Sequence, residues 1–81
     1  MKNEFYILIN TIDKVKDFSS KVLNVTPDID IIVGRYVIDA KSIMGLFSVD
    51  LSKPLLFKIH SDSENICNEV KEKIKEFIVE V

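Results

Sequence analysis

The stretch DAKSIMGLFSVDLSKP, Asp39 to Pro54, holds the residues whose types and spacing come nearest to chemistry. Ser42 stands directly ahead of Ile43 and Met44, followed by Gly45, Leu46 and Phe47. A serine at the start of a short helix can do two jobs at once. Its oxygen accepts an N–H from the following turn, a cap worth about 1 kcal/mol. Its hydroxyl is also a phosphoryl acceptor, and a phosphate there brings roughly −2 of charge to a helix N-terminus whose dipole tolerates it. The four apolar side chains exceed what so short a segment can bury. Two of them suffice for the core, and the rest form a contact surface to which methionine lends adaptability. Lys41 and Lys53 are expected to rim that surface and favour an acidic or mixed partner.

Other reactive residue types are sparse. His60 is the only histidine and Cys67 the only cysteine, so no zinc-type spacing exists and no internal disulfide can form. No metal or cofactor is expected. His60 ends an apolar run and reads as a structural or surface residue; Cys67 reads as a small apolar residue of the last helix.

These residues must be positioned by a small body. Eighty-one residues make one domain, 1–81, with one core. A hydrophobic content of 47% and a charged content of 30% are those of a globular chain. The formal charge of −2, with no basic cluster interleaved with aromatics, argues against nucleic acid. The apolar runs fall far short of the roughly 18 residues of a membrane span, and MKNEFY lacks a signal-peptide core. With one unpaired cysteine besides, a cytoplasmic location is expected.

The periodicities give an order of elements. Lys2 to Ile9 reads as a strand, and Ile12, Val15, Phe18, Val22 and Leu23 as the stripe of a helix capped by Asn10 or Thr11 and ended before Pro27. DIDIIV and RYVIDA flank Gly34 as a hairpin. A helix of about two turns then starts at Ser42, a strand at Pro54, and an amphipathic helix runs from Asp62 to Val81 on Ile66, Val70, Ile74, Phe77, Ile78 and Val81. The economical packing is α+β: an open-faced sandwich in which a four-stranded antiparallel sheet is covered on one face by three helices. Its edge strands are templates for association with another chain.

With DAKSIMG in place after a hairpin, the order of elements and the length resemble HPr, the phosphocarrier protein of the bacterial sugar phosphotransferase system, and its relatives. The residue-level likeness runs from about Gly34 to Pro54. The resemblance implies the βαββαβα fold. It implies that Ser42 matches the regulatory serine phosphorylated by a dedicated ATP-dependent kinase, and that Ile43, Met44 and Phe47 match the patch through which protein partners dock. The family's phosphoryl-carrying histidine, in a Gly-x-His-x-Arg-Pro stretch at the first helix, has no counterpart. The corresponding NTIDKVKDF offers no histidine, arginine or proline, and Asp13 and Asp17 repel an incoming phosphate. The reading that follows is a regulatory or protein-interaction module without enzymatic turnover, whose partners are a kinase or regulator of the phosphotransferase network. The alternative is a functional phosphocarrier.

Overall fold

The computed structural model describes residues 3–80. The strands are β1 (Glu4–Ile7), β2 (Ile29–Val33), β3 (Tyr36–Asp39), β4 (Leu55–Ile59) and β5 (Ile78–Val79). The helices are α1 (Ile12–Val22), α2 (Ile43–Leu46) and α3 (Glu64–Lys73), and a 3-10 turn spans Lys75–Phe77. The sheet is antiparallel throughout, in the order β3-β2-β4-β1-β5.

The local signals act where the sequence puts them. Thr11 caps α1, its side chain accepting the amide of Lys14 at 3.1 Å, and Ser63 caps α3 by accepting the amide of Ile66 at 3.3 Å. Gly34 supplies a φ of +58° in the two-residue loop between β2 and β3. Side-chain alternation then sorts the sheet into two faces. Ile7, Ile29, Ile31, Leu55, Phe57 and Ile59 are buried. Phe57 meets Phe18 of α1 edge-on with ring centroids 5.9 Å apart, and Phe18 in turn meets Phe77 edge-on at 5.7 Å. The helices thus cover one face, and the other stays open.

Two expectations change. The sheet has five strands, not four, because the closing helix does not run to the C-terminal end. It stops at Lys73, and Ile74, at φ −115° and ψ 15°, leaves helical geometry. The Phe77 carbonyl then accepts the Leu8 amide at 2.8 Å, and Ile78 and Val79 pair with Ile7 and Tyr6. Ile74 and Phe77 are buried on this path as the helical spacing required of them, and the β-branched pair Ile78-Val79 favours extension beside an open strand edge. Of the remaining expected segments, Lys2 and Val81 lie outside the described residues. The stripe of α1 is also narrower than expected: Val15, Phe18, Ser19 and Val22 are buried, whereas Ile12 and Leu23, at the two ends, are exposed.

Candidate functional site

The approach to Ser42 is a chain of local hydrogen bonds. Asp39 ends β3, its carboxylate accepts the Lys41 amide at 2.9 Å, and its carbonyl accepts the Ser42 amide at 2.9 Å. This tight turn sets Ser42 in extended geometry as the N-cap of α2, and its hydroxyl oxygen accepts the Gly45 amide at 3.3 Å. The residue is exposed, so the capping oxygen also faces solvent.

Helix α2 is one turn of four residues, shorter than the two turns expected. Leu46 alone is buried in it and anchors the turn to the core. Ile43 is 38% exposed, Phe47 46% and Met44 79%. These three side chains, adjacent to the Ser42 hydroxyl in the chain, form an apolar platform. Gly45 holds the turn close to the sheet, since a methyl group in its place would lie 2.6 Å from Cγ2 of Ile38 in β3.

Lys41 does not rim the platform. Its Nζ donates to the Val25 carbonyl at 2.8 Å, which ties the turn before α2 to the loop after α1. The ammonium is spent on that carbonyl because the turn at Asp39 aims the side chain back across the chain, a direction that sequence spacing does not reveal.

The start of α1 differs in character. Asn10 Oδ1 accepts from Lys14 Nζ at 3.2 Å, the Thr11 oxygen is occupied by the Lys14 amide, and Asp13 sits in the first turn. Asp17 faces Lys21 at 3.6 Å, and Lys21 also pairs with Glu76. No side chain from Asn10 to Asp17 is a histidine or cysteine.

His60 lies just beyond β4, and its Nε2 is 2.6 Å from Asp30 Oδ2. With Asp28 and Asp39 these two line a shallow concavity whose carboxylates oppose an incoming phosphoryl group. Cys67 is buried on α3, with Sγ 3.5 Å from the Ser61 carbonyl. Among the described residues no group of His, Cys, Asp and Glu side chains is arranged to hold a metal ion, and no helix is long and apolar enough to cross a membrane.

A second apolar surface lies outside the sequence reading. On the open face Val37 stands opposite Ile32, Ile32 opposite Leu56, Leu56 opposite Tyr6, and Tyr6 opposite Val79, a row crossing all five strands. The signal was present in alternate positions of the strands, but only the pairing register aligns them. No protein-family model matches this chain, and no curated protein sequence matches it.

Proposed function

We propose that this chain is an HPr-like regulatory or protein-interaction module of the bacterial sugar phosphotransferase and carbon-regulation network, acting without a phosphoacceptor histidine. The observation that carries the reading is the platform of α2: one side chain, Leu46, spent on the core, and Ile43, Met44 and Phe47 left outward next to a solvent-facing serine. An exposed surface of this kind contributes nothing to the stability of the fold, and a partner that covers it gains from removing its apolar area from water. The order of the first seven elements, strand, helix, strand, strand, short helix, strand, helix, supports the resemblance, as does an antiparallel sheet with helices on one face. β5 is an addition to that plan.

In this reading Ser42 is the switch. A phosphate on its oxygen would replace the neutral acceptor of the Gly45 amide by a charged one, keeping the cap while placing about two negative charges beside Met44. Docking through an apolar patch then becomes sensitive to modification without refolding of the domain.

The test uses the family's dedicated serine kinase with ATP. Mass spectrometry should find one phosphate, on Ser42, and a titration of the kinase into isotope-labelled protein should shift the resonances of Ser42 to Phe47. Met44→Asp should abolish both. An unmodified Ser42 together with undisturbed α2 resonances would sink the reading. Label transferred from phosphoenolpyruvate by the first enzyme of the phosphotransferase system onto His60 would establish the phosphocarrier alternative in its place.

A further inference from the structure

The sheet has two edges and treats them differently. At one, β5 is only two residues long, the usual way of making an edge a poor template. At the other, β3 runs Tyr36–Asp39 without a proline, a lysine or an irregularity, and exposes Tyr36 at 70% and Val37 at 63%. A bare apolar edge of this kind is rarely left unpaired.

The direction of its hydrogen bonds is fixed by the hairpin. The two-residue loop Gly34-Arg35 closes on the pair Val33 and Tyr36, and the Ala40 amide donates to the Ile29 carbonyl at 2.9 Å. In an antiparallel ladder these roles alternate, so Tyr36, Ile38 and Ala40 bond inward to β2, while Val37 and Asp39 aim their N–H groups away from the sheet.

The side chains along that edge are self-complementary. Reversing Arg35-Tyr36-Val37-Ile38-Asp39 about its centre places Arg35 opposite Asp39, Tyr36 opposite Ile38, and Val37 opposite itself. Opposite charges and aromatic with β-branched pairs are the favourable cross-strand combinations. Arg35 makes no ion pair among the described residues. Asp39 spends one carboxylate oxygen on the Lys41 amide, leaving the other for a guanidinium. Tyr36 of a second copy would fall beside Ile38, where Val33, Ile38, Ser48, Val49 and Asp50 line a groove along the strand. The apolar row Val37, Ile32, Leu56, Tyr6 and Val79 would continue without a break into its symmetric equivalent.

We infer that a second copy of this chain pairs with the free edge of β3, antiparallel about a twofold axis at Val37, with Arg35 of each copy bonded to Asp39 of the other. Both copies contribute the same strand, so the contact closes at two and forms one continuous sheet.

Sedimentation equilibrium of the full chain, over about 10 µM to about 1 mM as befits a small interface, should show the mass doubling with concentration. Val37→Pro removes an N–H that β2 does not use, so the fold should persist by circular dichroism and the dimer be lost. Arg35→Glu alone and Asp39→Lys alone should each weaken association by about tenfold or more through like-charge contacts. Mixing the two should restore it, since every cross-strand pair in the mixed dimer is then of opposite sign. A wild type that stays monomeric throughout, a dimer indifferent to Val37→Pro, or a mixture no tighter than its separate components would each overturn the inference.

Discussion

A methyl group on Gly45 would sit 2.6 Å from Cγ2 of Ile38, so α2 rests on β3 at a separation that only glycine permits. Taken by itself, a glycine in a helix costs about 1 kcal/mol against alanine, and the sequence offers no reason beyond the shortness of the turn. The packing supplies one. Cγ2 of Ile38 branches directly from Cβ, so it cannot swing away as the end of a long side chain would. Gly45→Ala is therefore expected to destabilise the protein by about 1–3 kcal/mol despite its better helix propensity. Ile38→Ala removes the obstructing carbon, and the double variant should recover part of that loss, with a coupling of about 0.5–3 kcal/mol in a denaturant-based mutant cycle. Additive losses would mean that the contact is not what fixes glycine at this place.

Leu46 and Met44 divide the work of α2, and substitutions should separate the two duties. Leu46 is fully buried, so Leu46→Ala should cost about 2–5 kcal/mol in urea unfolding. Met44 projects into solvent, and Met44→Asp should leave stability within about 0.5 kcal/mol of the wild type. Equal costs at both positions would show that the platform is part of the core.

Much of this frame was legible in the chain. The hairpin at Gly34 and the caps at Thr11 and Ser42 follow from local rules, and the structure has them. What stayed hidden depends on contacts between distant segments. The stop of α3 at Lys73 is imposed by β1, whose edge offers Ile78 and Val79 a partner that no periodicity announces. The engagement of Lys41 by Val25, sixteen residues earlier, is likewise a product of the turn at Asp39. The open-face row is spelled by single residues of five strands, and becomes a surface only once the register aligns them. For the platform, sequence counting was right that so short a helix cannot hide four large apolar residues, but it allowed two of them to the core where only Leu46 is buried.

The loop after α2 carries its own pH dependence. Asp50 accepts the Ser52 hydroxyl at 2.6 Å and the Ser52 amide at 3.0 Å. These bonds, with a smaller contribution from the Lys53 charge, hold its carboxyl below the ordinary aspartate value of 3.8. A depressed folded-state value means that the carboxylate stabilises the turn above the ordinary value and that this contribution is lost as pH falls through the lower one. Carboxyl-carbon NMR titration should find Asp50 titrating below 3.8, and Ser52→Ala, which removes the hydroxyl donor, should move it upward. The same titration bears on the groove beside β3, because Asp50 lines it together with Ser48 and Val49. Protonation should loosen this wall first, so the protection factors of the amides of Ser52 and its neighbours should fall at low pH while those of β2 and β4 hold. An Asp50 that titrates at the ordinary value, unmoved by Ser52→Ala, would mean that the turn is not held together by these bonds in solution.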